Sequence, residues 1–152
     1  MNSKPIVVVP WDFSDYSIAA LNFAMEKFPD SSFRVICVLE KPNPYAPEMS
    51  WGGDAEAQAI EKSTEAFQNS TRTPNTEHTN FTSLFGEPAS EIVHFANELN
   101  ADYIVMSTHG RTGLKKWMVG SVAQRVAERA TCPILLLPRA WVETHMPSVT
   151  SS

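Results

Sequence analysis

Along nearly its whole length the chain alternates between short apolar runs and stretches of helical periodicity. Ile6-Val7-Val8-Val9 is an unbroken β-branched run, the pattern of a strand buried on both faces of a sheet. It ends at Pro10. Ser14 then offers a helix N-cap, and Ile18, Leu21, Met25 and Phe28 recur at helical spacing up to Pro29-Asp30. Residues 33–39 form a second apolar strand. Residues 41–53, with Pro42, Pro44, Pro47 and Gly52-Gly53, read as a loop. Asp54 caps a polar helix to about residue 69, with Ala57, Ile60, Thr64 and Phe67 on one face; residues 70–76 are a connector. Residues 78–85 alternate loosely, as an edge strand does. Pro88 suits the first turn of a helix with the stripe Ile92, Phe95, Ala96 and Leu99, and Asn100 is a left-handed stop. Residues 103–106 are a buried strand, residues 107–119 an irregular stretch, and Gly120-Ser121 opens a helix with Val122, Val126 and Ala130 inward. Residues 134–137 are the last strand.

Strands alternating with helices imply an α/β fold, a parallel sheet with helices on both faces. Right-handed crossovers leave few topologies, and the five-stranded doubly wound order 3-2-1-4-5, Rossmann-like, is expected. Its topological switch point lies between strands 1 and 4. Ligands bind there, outside the carboxyl ends of the strands, so residues 10–14 and 107–120 should flank a crevice. The length of 152 residues fits one domain, expected over residues 1–140, with a flexible, Ser- and Thr-ended tail over 141–152.

Composition narrows the class. A hydrophobic content of 43% excludes a disordered chain. The net charge of −5 argues against general nucleic-acid binding, which needs a basic patch. No apolar run approaches the roughly 18 residues of a membrane span. The start, Met1-Asn2-Ser3-Lys4, leads into an apolar run without a small-residue cleavage site, so no signal peptide and a cytoplasmic location are expected. Cys37 and Cys132 fall three strands apart in this order, roughly 14 Å at about 4.8 Å per step. A disulfide needs Cα atoms within about 7 Å, so two free thiols are expected.

The most informative segment runs from Met106 to Ser121. It leaves a strand, carries Gly110 and Gly113 with Arg111, Lys115 and Lys116, and ends on Gly120-Ser121 at a helix start. Glycines let backbone N–H groups approach a ligand, and a helix N-terminus offers unpaired donors at the positive end of its dipole. Together these make an anion site, most naturally for phosphate, with Arg111 and Lys115 as candidates to steer it. A plain strand-to-helix connection with turn glycines fits the same spacing. The loop is not a Walker A sequence, and no Gly-x-Gly-x-x-Gly follows the first strand. His109 is the one tempting general base in the loop and is expected to bond locally. Trp11 and Trp51 sit in the ligand loops, as stacking partners for a base or as core and lid packing.

Three pieces carry a resemblance over about residues 4–138: Val9-Pro10-Trp11-Asp12-Phe13-Ser14 with Ser17, Ala20 and Leu21; Gly86-Glu87-Pro88-Ala89 with Ile92; and the loop ending in Gly120-Ser121 followed by Cys132-Pro133-Ile134-Leu135. In this order and spacing they resemble the universal stress protein family. The resemblance implies an adenine nucleotide alpha hydrolase-like fold and, in the ATP-binding branch, the pattern Gly-x2-Gly-x9-Gly-Ser/Thr. Here that pattern falls on Ser107, Gly110 and Gly120-Ser121, with serine in place of the first glycine. It implies that Asp12 faces the ribose or adenine beside Pro10, that Val38 and Met106 border the base, and that Ser121 and Val122 meet the phosphates. ATP would bring Mg²⁺, mostly water-ligated; no dedicated metal cage is visible. Ala123 stands where some ATP-binding members have a hydroxyl residue. The family also implies a homodimer through the last strand, about residues 133–139. This agrees with the aggregation hazard of a bare Ile134-Leu135-Leu136-Leu137 edge. The implied function is a nucleotide-dependent switch in stress response, signalling to a protein partner and at most a slow ATP hydrolase. The alternative is the non-nucleotide branch, acting through dimerisation and protein contacts.

Overall fold

The β-branched run becomes β1 (Ile6–Pro10), and Val7, Val8 and Val9 are each fully buried. A computed structural model of the chain describes residues 3–41, 55–70, 79–110 and 119–145. After β1 come α1 (Asp15–Lys27), β2 (Ser32–Leu39), α2 (Ala55–Gln68), β3 (Thr79–Phe85), α3 (Pro88–Glu98), β4 (Tyr103–Ser107), α4 (Ser121–Arg129), β5 (Ile134–Leu137) and α5 (Arg139–His145). The five strands form one parallel sheet in the order β3-β2-β1-β4-β5, the doubly wound topology that the alternating periods predict. Val8 pairs with Arg34 on one side and Ile104 on the other, so β1 is the central strand.

Burial of β1 on both faces divides the core into two layers. Val7 and Val9 join Ala19, Ala20, Leu21 and Ala24 of α1, with Phe67 of α2 and Val142 of α5 in the same layer. The three alanines are fully buried, and their small side chains let α1 lie close on the sheet. Val8 faces the opposite layer, with Ile36, Ile104 and the apolar sides of α3 and α4.

Local chemistry sets the start of α1 and the end of α3 where the sequence places them, while the cap expected at Asp54 lies outside the described residues. The Ser14 hydroxyl accepts the Ser17 N–H at 3.2 Å, the expected N-cap of α1. Asn100 has φ 50°, a left-handed stop after α3. One expectation is corrected. The tail placed from residue 141 is helical as far as His145. Val142 is fully buried, Trp141 meets Phe23 edge-on at 5.2 Å, and Arg139 Nε donates to Glu143 Oε1 at 2.7 Å. The Ser- and Thr-rich end obscured this short amphipathic turn. Residues 146–152, and nearly all of the loop and connector read at 41–53 and 70–76, lie outside the described residues. Cys37 and Cys132 are free thiols, and burial pushes the Cys132 thiol above its ordinary range. Among the described residues no helix is long and apolar enough to cross a membrane.

The start of α3 carries a pH-sensitive contact. Glu87 Oε2 accepts the Ser90 N–H at 2.8 Å, and Oε1 accepts the Ala89 N–H at 3.3 Å and faces Arg125 Nη1 at 3.3 Å. Hydrogen bonds from the Ser90 side chain and its N–H, helped by Ala89 N–H and Arg125, lower the Glu87 pKa from 4.5 to about 2. A carboxyl depressed in the folded state stabilises above its unfolded pKa, and that contribution fades as pH falls toward the folded value. Glu87→Gln is therefore expected to cost stability at pH 6, with its difference from wild type shrinking between pH 4.5 and 2. Urea unfolding across that range measures it; a difference that stays constant with pH would show that ionisation of Glu87 is not involved.

Candidate functional site

At the carboxyl ends of β1 and β4 the chain turns toward opposite faces of the sheet, and a cleft of about 330 Å³ opens between them. On the β1 side, Trp11 N–H donates to Ile36 O at 2.8 Å and extends the strand pairing by one residue. Asp12 Oδ1 then accepts the Ser14 N–H at 3.0 Å and the Ser14 hydroxyl. Between them Phe13 has φ 64°, a left-handed conformation that costs a side-chain-bearing residue roughly 1–2 kcal/mol. This turn starts α1 immediately and keeps the Asp12 carboxylate at the strand end.

On the β4 side, Thr108 N–H donates to Leu137 O at 3.0 Å, and Gly120 N–H donates to Thr108 O at 2.8 Å. The second bond closes the base of the long loop and brings the start of α4 to the end of β4. Gly120 is the N-cap of α4 and makes no side-chain cap bond, so the positive end of the helix dipole opens on the cleft. The halves meet at Gly110. A methyl group there would overlap Asp12 Oδ2 and lie 3.5 Å from its Cγ, so a side chain at this position would force the carboxylate to shift.

The residues singled out from sequence, Pro10, Asp12, Val38, Met106, Ser107, Gly110, Gly120, Ser121 and Val122, all line this cleft. Arg111 and Lys115, with Lys116 and Trp51, lie outside the described residues. The apolar wall is the edge of the second core layer: Ile36, Val38, Ile92, Met106 and Val122. Sequence reading missed Ile36 and Glu40, although the period of two places both on the face of Val38. It also missed Pro88 and Ile92, one helical turn apart on α3. Trp11 borders the cleft but is 4% exposed, packed edge-on to Phe67 at 5.1 Å and Phe13 at 5.9 Å. It is thus mainly a core residue. His109 is buried, with Nδ1 2.9 Å from Thr108 Oγ1 and its ring 6.1 Å from that of Tyr16, the local bonding expected of it.

An apolar slot, a carboxylate at its rim and an open helix N-terminus are what the base, sugar and phosphate of a nucleotide each require. A parallel 3-2-1-4-5 sheet with its cleft at the switch point defines a Rossmann-like α/β domain. Known proteins narrow the class. The model of the universal stress protein family matches residues 5–138, and the chain belongs to that family. Universal stress protein MJ0531 of Methanocaldococcus jannaschii is 33% identical over 146 residues, covering 88% of this chain and 81% of its own. The solved structure of MJ0577, from the same organism, is 25% identical and covers 89% of this chain and 96% of its own, with a TM-score of 0.69. A universal stress protein from Archaeoglobus fulgidus, solved in complex with dAMP, is 28% identical and covers 90% of this chain and 98% of its own, with a TM-score of 0.58.

Proposed function

We propose that the cleft binds an adenine nucleotide and that the chain is a cytoplasmic, homodimeric, nucleotide-dependent switch in stress response. The observation that carries this reading is the apposition of Asp12 and Gly110 across the switch point, between an apolar wall and the open start of α4. The dAMP complex of the Archaeoglobus relative supports it. The base would lie against Pro10, Val38 and Met106, the Asp12 carboxylate would accept from sugar hydroxyls, and the N–H groups of Ser121 and Val122 would meet phosphate. Arg111 and Lys115 would steer the phosphates, which bring Mg²⁺ with its own water shell. Hydrolysis needs a group that orients water and stabilises developing charge, and on this reading the protein works by binding, with at most slow turnover. The domain includes α5. Strand β5 pairs only with β4 among the described residues, so its free edge would pair antiparallel with a second copy over about residues 133–139.

Calorimetric titration of nucleotide-stripped protein with ATP and Mg²⁺, and with AMP, tests the site. Saturation near one per subunit is expected. Sedimentation at tens of micromolar should give a dimer, and a monomer would remove the β5 pairing. In Gly110→Ala the added methyl displaces the Asp12 carboxylate, so affinity should fall about tenfold while urea stability changes by less than about 1 kcal/mol. Unchanged affinity would make the close approach incidental. Ser107 and Ala123 favour a second reading, the non-nucleotide branch acting through dimerisation and protein contacts. An absence of heat with folded, stripped protein would select it.

A further inference from the structure

Ser107 occupies the position of the first glycine in the family's nucleotide-binding pattern, where a side chain is expected to crowd the ligand. Its hydroxyl is engaged within the protein. It donates to Leu137 O at 3.3 Å and accepts the His109 N–H at 3.2 Å. Thr108 reinforces the same point, with its N–H 3.0 Å and its Oγ1 3.4 Å from the Leu137 carbonyl. Ser107 and Leu137 are register partners of β4 and β5, so three donors from two consecutive residues converge on the last carbonyl of the edge strand. Ser107, Thr108 and His109 are each 6–7% exposed, so water competes weakly for these bonds. The Thr108 carbonyl then holds Gly120 N–H, which joins the turn to the start of α4.

We propose that Ser107 is a positioning residue that braces the turn from Ser107 to Gly110, holding Gly110 against Asp12 before any ligand arrives. Glycine at this position would widen the backbone's freedom and deprive the buried His109 N–H of its hydroxyl acceptor. A turn ordered in advance loses less freedom on binding, so the serine strengthens the site that a glycine would leave looser. This rests on the reading of the cleft as an adenine-nucleotide site.

The test compares wild type, Ser107→Ala and Ser107→Gly, first without ligand by amide hydrogen exchange and then by titration with AMP. Alanine removes the hydroxyl and keeps Cβ; glycine removes both. The His109 amide is expected to exchange about tenfold faster in both variants, with Val8 and Ile104 amides unchanged, and AMP affinity to fall about three- to tenfold in both. Unchanged exchange at His109 would overturn the brace. Tighter AMP binding by Ser107→Gly would also overturn it and identify the serine as an obstruction. Wild type that binds neither AMP nor ATP with Mg²⁺, with faster His109 exchange in the variants, would support the brace and reject the nucleotide reading.

Discussion

Asp12→Ala is expected to weaken adenine-nucleotide binding about 100-fold. A hydrogen bond to a charged acceptor contributes about 1.5–3 kcal/mol, and a carboxylate facing a sugar can accept two of them. Loss of both, partly offset by water, leaves close to 3 kcal/mol, or two powers of ten in the dissociation constant. The same carboxylate accepts the Ser14 N–H and hydroxyl, so the variant should also lose about 1 kcal/mol of stability. Asp12→Asn separates these roles. Its amide oxygen can still accept from Ser14, while the charge and one acceptor are gone, so stability should stay near wild type and affinity fall about tenfold. The pair of variants is read by titration calorimetry beside urea unfolding. If alanine lowers stability and leaves affinity untouched, Asp12 serves only the start of α1.

Ile104→Ala should produce the largest loss of stability, about 3–4 kcal/mol. Ile104 is fully buried on β4, paired with Val8 of β1 and Ile134 of β5, beneath the layer of α3 and α4. Truncation removes its transfer free energy and leaves a cavity that a parallel sheet held on both sides cannot collapse to fill. For a domain of this size the melting temperature should drop by about 10 °C. Ile104→Val, which deletes one methylene, should cost about 1 kcal/mol. A loss below 1 kcal/mol for the alanine variant would mean that this layer is loosely packed at its centre.

The fold was legible because burial and chain direction leave marks at short range. A run such as Val7-Val8-Val9 can be stable only with cover on both faces, and Ser14 and Asn100 act within a turn of their own positions. The cleft residues at strand ends were legible for the same reason, once the strand order was known. What escaped notice depends on meetings across the chain. Gly110 leaves the room that the Asp12 carboxylate occupies, and nothing within several residues of either reveals it. The hydroxyl of Ser107 reads as an intrusion until Leu137 is brought beside it, 30 positions along the chain. Helix α5 was missed because its single fully buried residue, Val142, has partners only in the assembled core.

The central strand has a consequence for how the molecule melts. Val7 and Val9 belong to one helix layer and Val8 to the other, on consecutive residues of a single strand. Neither layer can come apart without stripping one face of the strand that supports the other, so heat should find one cooperative unit rather than two halves with separate midpoints. A molecule seated at the ends of β1 and β4 grips that shared wall, and by mass action its binding raises the midpoint of the whole transition. A ligand screen could therefore be run on the melting curve alone, without any assay of activity.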